Sequence, residues 1–375
     1  MRRSGILLHI SSLPSPCGIG TMGREAYDFV DFLKKSNQSL WQILPLNPTG
    51  FGNSPYQSFS AFAGNPYFID FDLLCKDGLL KKSDYSDIDW GFDPRKVDYG
   101  RIYSERFKVL HKACDNFEKE SSYDEFCLKN AFWLDDYSLF TALKSSFGEK
   151  PWYTWPHSLK TKNEQAVESA RSLLESEIET QKKIQYFFFS QWQSLKEYAN
   201  RNGIEIIGDL PIYVAHDSAD VWGSPRQFEL DDECNPVYVA GVPPDGFSAE
   251  GQLWGNPVFD WEYMRDDGYR WWIRRIEHCL KIYNRIRIDH FRGFSGYYSV
   301  PYGMKNAVKG IWRSGPGIEL FKAMESALGK PEIIAEDLGY IDEGVLNLLS
   351  ETGFPGMKVL QFAFDSRESS DYLPH

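Results

Sequence analysis

The chain has 375 residues, 42% of them hydrophobic and 16% aromatic, with 41 basic against 53 acidic side chains and a net charge of −12. That acidity argues against nucleic acid or anionic membrane as a partner, and the length allows either two domains or one barrel with insertions. No run approaches the ~20 apolar residues of a membrane span. The six cysteines are scattered without CxxC spacing and the seven histidines form no HExxH-type cluster, which points to a cytoplasmic, reduced protein without a catalytic metal.

The N-terminal MRRSGILLHISSLP has two arginines, but Ser11, Ser12 and Pro14 break its apolar stretch. It reads as a first strand, Gly5–Ile10, and not as a signal peptide. Ala26, Phe29, Val30 and Leu33 then fall at helical spacing within Arg24–Lys35, and Leu40–Leu44 is the next apolar strand. Thr49–Pro66, TGFGNSPYQSFSAFAGNP, is a long Gly/Ser/Asn loop carrying Tyr56, Phe59 and Phe62. Rings among hydroxyls and amides suit sugars, although Phe59 and Phe62 could equally be local core.

From about Cys75 to Gln181 a mostly helical stretch interrupts the alternation and reads as a subdomain inserted after the second strand. The chain thus divides into a barrel start (1–74), the insertion (75–181) and a barrel continuation (182–375). Helix Lys182–Asn200 leads to strand Ile204–Asp209, which ends in a carboxylate, and Asp217 is expected to cap the turn beyond it. Val239–Pro257, VAGVPPDGFSAEGQLWGNP, is too rich in Gly and Pro to predict regular structure. A loop of this length is usually a lid or a binding loop; Trp254 would stack on a sugar and Asp245 would bond a hydroxyl. Helices Tyr269–Tyr283, Ile318–Leu328 and Glu343–Glu351 then alternate with strands Ile286–Asp289, Ile333–Glu336 and Lys358–Phe364. Strand followed by helix, repeated, implies parallel strands with helices outside.

The most informative segments are RIRIDHFRG (285–293) and PEIIAEDLG (331–339). Each is an apolar run that ends abruptly in a carboxylate, Asp289 or Glu336, as in a buried parallel strand that aims a catalytic group out of the sheet. One helix and its loops separate them, so they fit neighbouring strands. Two carboxylates facing each other across a cleft are the working parts of a glycosidase-type enzyme, at roughly 5 Å for a retaining one. Arg287 shares a strand face with Asp289, and a nearby guanidinium favours an ionised carboxylate. Glu336 would be kept protonated by its surroundings to donate to a leaving oxygen. The plainer alternative is that Arg287 and Asp289 form a structural ion pair at a strand end.

SPYQSFSAFAGNP, GDLPIYVAHDSADVW, GVPPDGFS, GQLWGNP, RIDHFRG and AEDLG, in this order, resemble the 4-alpha-glucanotransferases, also called amylomaltase or disproportionating enzyme, glycoside hydrolase family 77. The similarity runs from about residue 5 to the end. It implies an α/β fold, a (β/α)8 TIM-type barrel with helical insertions. It also implies cofactor-free transfer of a 1,4-alpha-glucan segment between maltooligosaccharides by a retaining double displacement. Carried onto this chain, Asp289 is the nucleophile and Glu336 the acid/base, while Tyr56, Asp209, Asp245, Trp254 and Arg287 line the donor and acceptor subsites. Phe51 stands where some relatives have tyrosine, which bears on a secondary glucan site. Ala249-Glu250 stands where the family often has Glu-Thr, which bears on acceptor binding.

The family continues past Tyr372–His375 to a His-Asp pair on the seventh strand, whose aspartate braces the distorted sugar. With about six of eight strands counted, the chain is expected to be a fragment, with little or no activity when expressed alone. Two other functions stay open at this point. One is an alpha-glucan hydrolase of the alpha-amylase type, against which Asp209 is followed by LPIYV and not by the usual pattern ending in Asn-His. The other is a non-catalytic glucan-binding remnant.

Overall fold

The structure is a computed structural model that describes residues 2–91, 93, 95–246 and 248–364, with Phe51 described by its backbone alone. The expectations placed on the Phe51 side chain and on Tyr372–His375 lie outside the described residues. Nine strands occur among the described residues: β1 (Gly5–Leu7), β2 (Leu40–Gln42), β3 (Glu205–Leu210), β4 (Tyr238–Val242), β5 (Gln252–Pro257), β6 (Arg285–Ile288), β7 (Gly296–Pro301), β8 (Ile311–Ser314) and β9 (Ile333–Ala335). They form two sheets. One has the order β1-β2-β3-β6-β9 and is parallel throughout; the other has the order β5-β4-β7-β8 and is antiparallel.

The parallel strands are short apolar runs because helices cover them, so Ile206, Ile286, Ile288 and Ala335 are all buried. Helix Arg24–Lys35 turns Ala26, Val30 and Leu33 inward, with Glu25 in its first turn and Lys34 and Lys35 in its last, as the helix dipole favours. Between β2 and β3 lie the long helices Tyr99–Asp115, Ser121–Ser146 and Glu175–Arg201. The last crosses the division drawn at 181/182 without a break and buries Ile184, Phe187, Phe188, Trp192 and Leu195. One continuous hydrophobic cluster joins these residues to the sheet. Among the described residues no helix is long and apolar enough to cross a membrane.

Two expected elements differ. Lys358–Phe364 is not a sixth parallel strand; Leu360–Phe364 is a short 3-10 helix with Phe364 exposed. Pairing with β9 stops after the bond from the Ala335 amide to the Pro355 carbonyl (2.9 Å), because the Asp337 carboxylate captures the Met357 amide (2.6 Å) that would have continued the ladder. The stretch Val239–Pro257 is not a loop throughout, since β4 and β5 at its ends pair as a hairpin. Its glycines permit that pairing. Gly241 lies so close to β5 that a Cβ there would come within 2.5 Å of the Gln252 carbonyl oxygen.

The loop 49–66 is fixed by side chains that bond its backbone. Gln185 accepts from the Gly64 amide (2.8 Å) and donates to its carbonyl (3.0 Å), and Gln191 grips Asp70 in the same two-bond fashion. His278 bonds the Phe62 carbonyl (2.9 Å), and the Asp220 carboxylate accepts from the Ala61 amide (2.7 Å). A Cβ on Gly64 would sit 2.0 Å from the Phe188 ring. Gly64→Ala should therefore cost about 1–3 kcal/mol through overpacking, read from urea denaturation midpoints. An unshifted midpoint would mean that the loop relaxes freely.

Candidate active site

The carboxyl ends of β3, β6 and β9 lie side by side, and each supplies one acidic residue. Register puts Asp209 of β3 directly beside Arg287 of β6. The ladder continues past the strand ends: the Asp289 amide bonds the Leu210 carbonyl and the Glu336 amide bonds the Ile288 carbonyl, both at 2.9 Å. Asp289 and Glu336 are therefore held by sheet-type bonds at the end where barrel enzymes carry their chemistry.

Arg287 joins two carboxylates. Its Nη1 donates to Asp209 Oδ1 at 2.7 Å, and its Nη2 lies 2.8 Å from Asp289 Oδ1. Tyr56, on the loop 49–66, donates its hydroxyl to the other Asp209 oxygen at 2.6 Å. Asp209 is almost wholly buried, and that burial raises its pKa despite the opposing pull of Arg287 and Tyr56. Burial alone would depress the Arg287 guanidinium, but the charges of Asp209 and Asp289 outweigh it and raise the pKa. Burial and the Asp209 carboxylate likewise push the Tyr56 phenol up, so it stays a donor.

Glu336 is cradled by backbone. Its Oε1 accepts from the Leu338 amide (2.8 Å) and its Oε2 from the His290 amide (2.9 Å). Burial raises its pKa, the two amides lower it, Asp289 raises it and Arg287 lowers it; the balance is upward. His290 can present its amide in this way because it adopts the left-handed conformation (φ 53°, ψ 47°), which is uncommon outside glycine. Burial of the His290 ring pulls its pKa down to about 4, so the ring is neutral near pH 7. That ring meets Trp254 edge to face at 4.9 Å between centroids, with the planes at 85°.

Tyr56, Asp209, Arg287, Asp289 and Glu336 are thus brought into one connected cluster, and Trp254 reaches it through His290. Asp245 sits apart in the β4–β5 connection, exposed, where its carboxylate accepts from the Ser248 amide (2.8 Å). Ala249 and Glu250 are exposed in the same connection. Phe62 is core, packed against Phe132, Trp133, Trp271 and His278. Asp217 does not cap the turn after β3. Ser218 does, accepting from the Val221 amide, while Asp217 pairs with Lys144 at 2.5 Å. The shorter Ser218 side chain reaches the helix amide, whereas a buried ammonium needs the carboxylate. His290 and Gln57 were not singled out from the sequence. The signal for His290 was its place directly after Asp289; for Gln57 it was its place after Tyr56. Among the described residues no three His, Cys, Asp or Glu side chains are grouped so as to hold a metal ion.

Parallel strands that end in an arginine-bridged acid cluster, beside a second acid whose pKa burial raises, define a barrel enzyme equipped to work on glycosidic bonds. The family profile described as 4-alpha-glucanotransferase matches residues 8–375, and the chain belongs to that family. A 4-alpha-glucanotransferase of Clostridium butyricum is 51% identical over 371 residues, covering 98% of this chain and 76% of that protein. One from Thermus thermophilus is 47% identical, covering 100% and 75%. The solved structure of an amylomaltase from Streptococcus agalactiae in complex with acarbose superposes with a TM-score of 0.97 at 48% identity, covering 100% of this chain and 77% of that one. The (β/α)8 TIM-barrel type of fold follows from that likeness and from the parallel sheet seen here.

Proposed function

We propose that Asp289 and Glu336 carry out a retaining 4-alpha-glucanotransferase reaction that moves a 1,4-alpha-glucan segment between maltooligosaccharides. The observation that carries this is the contrast between the two acids. Asp289 is paired with Arg287, whereas the Glu336 carboxylate's hydrogen-bond partners among the described residues are neutral backbone amides and its pKa is raised. With Oδ1 held by Arg287, Asp289 Oδ2 attacks the anomeric carbon while Glu336 gives its proton to the leaving glycosidic oxygen. The donor is cleaved to a glycosyl–Asp289 ester, and the shortened glucan departs. The acceptor hydroxyl then returns a proton to Glu336 as its oxygen displaces Asp289, so configuration is retained after two inversions. Tyr56, Asp209 and Arg287 position the donor sugar beside Asp289. The acarbose held by the Streptococcus agalactiae relative is consistent with a glucan-type ligand for this cleft.

The test is maltotriose with purified protein, its products resolved by chromatography and proton NMR. Glucose together with maltopentaose of alpha configuration is expected. Glucose and maltose without longer oligomers would favour hydrolysis.

The β4–β5 hairpin would serve as the lid, keeping water from the ester while a sugar enters. Trp254 then offers a stacking face to the acceptor. Trp254→Ala should raise the ratio of hydrolysis to transfer more than it lowers total bond cleavage. An unchanged ratio would leave Trp254 with packing alone.

A further inference from the structure

For the transfer reaction proposed above, on which this rests, we infer that Gln57 is a positioning residue that sets the spacing between the donor-side pair Tyr56–Asp209 and the acceptor-side ring of Trp254. Gln57 follows Tyr56 directly. Its amide and carbonyl are fixed within the loop by bonds from Gln57 N to the Ser54 carbonyl (3.2 Å) and from Gly50 N to the Gln57 carbonyl (2.7 Å). Its side chain leaves the loop and crosses to β5. There Nε2 donates one hydrogen to the Trp254 carbonyl (3.2 Å) and the other to Asn256 Oδ1 (3.0 Å). Asn256 is buried, and its own Nδ2 donates onward to the Val214 carbonyl at 2.8 Å, in the segment that follows β3.

The direction of this relay is unambiguous. The Val214 and Trp254 carbonyls can only accept, so Asn256 must turn its nitrogen to Val214 and its oxygen to Gln57. Gln57 must then present its NH2 group, and both of its hydrogens are used. One glutamine amide therefore ties three segments together: the turn that carries Tyr56, the strand that carries Trp254, and the continuation of the strand that carries Asp209. Transfer needs the glycosyl ester and the incoming sugar hydroxyl within near-attack distance, and small misplacements at such a site are costly. Water, being small and abundant, does not need that spacing. Loss of the tie should therefore depress transfer more than hydrolysis.

The variant Gln57→Glu keeps the shape and replaces the donor by an acceptor that faces two acceptors. It should lower the transfer-to-hydrolysis ratio about tenfold, the scale of one hydrogen bond lost at a buried partner. Total maltotriose cleavage should fall less. Acidification should partly restore the ratio relative to unmutated protein at the same pH, because a protonated carboxyl again donates one hydrogen. A merely structural residue would show no such rescue. Coupling is tested by a double-mutant cycle with Trp254→Ala: if Gln57 acts through Trp254, the double variant partitions like Trp254→Ala alone. If the original protein transfers but a folded Gln57→Glu variant keeps the same partition, this inference is overturned while the proposed function stands. Additive effects in the cycle would overturn it equally. If the original protein shows no transfer, it is the proposed function that has failed.

Discussion

Asp289→Asn should reduce turnover by on the order of 10⁴-fold or more, the range seen when a nucleophile is removed from a catalytic group that acts as a unit. Maltooligosaccharide binding should change only a few-fold. The amide keeps the size of the carboxylate and still offers an oxygen to Arg287, so the Arg287–Asp209 pair at 2.7 Å and the Tyr56 hydroxyl bond at 2.6 Å have no reason to move. What disappears is the oxygen that attacks. In Asp289→Gly, which vacates the carboxylate's place, a small anion such as azide should enter the space and displace fluoride from an activated glucosyl fluoride in a single step, giving a product of inverted anomeric configuration. Calorimetry with maltoheptaose measures the binding, and NMR reads the anomer. Substantial residual transfer by Asp289→Asn, with retained configuration, would remove Asp289 from the nucleophile's role.

The part of this site that could be read from sequence is the part that depends on one strand at a time. An apolar run cut off by a carboxylate marked Asp209, Asp289 and Glu336, and all three lie at adjoining strand ends. Helices Arg24–Lys35 and Ile318–Leu328 have the expected limits because their apolar spacing and flanking residues act locally. What escaped depends on register between strands or on backbone conformation. Arg287 was expected to serve Asp289, yet it bridges Asp209 as well; no sequence pattern announces that residue 209 lies opposite residue 287. The left-handed turn at His290 fell on a residue type that rarely adopts it. The β4–β5 hairpin is hidden in the sequence because its glycines and prolines suit irregular chain equally well, whereas Gly241 here allows close strand approach; β7 and β8 of the same sheet carry no expectation from the sequence. Lys358–Phe364 failed for the opposite reason. Its composition suits a strand, but a carboxylate from Asp337 takes the amide the ladder needed.

Removing the guanidinium should be the most damaging change to the site's stability. Arg287→Met leaves Asp209 almost wholly buried with Tyr56 as its remaining donor partner, and leaves Asp289 without its cation. Breaking a buried ion pair by deleting one partner typically costs about 3–5 kcal/mol. The cost should depend on pH, with a sign fixed by Asp209. Burial already raises this carboxyl in the folded chain, and Arg287 opposes that shift; without the arginine the shift grows. As pH falls, the folded state then takes up a proton before the unfolded chain does. The destabilisation is therefore fully present above the folded pKa and disappears as pH drops toward the unfolded value. Urea unfolding should show a deficit for Arg287→Met at pH 8 that shrinks steadily on acidification, relative to unmutated protein at each pH. Adding Asp209→Asn removes the stranded charge while keeping an oxygen for the Tyr56 hydroxyl. The double variant should regain most of the lost stability at pH 8 and none of the turnover, since Asp289 still lacks the charge that organises it. A deficit that does not vary with pH, or a double variant no more stable than the single one, would show that shape and not charge makes Arg287 necessary.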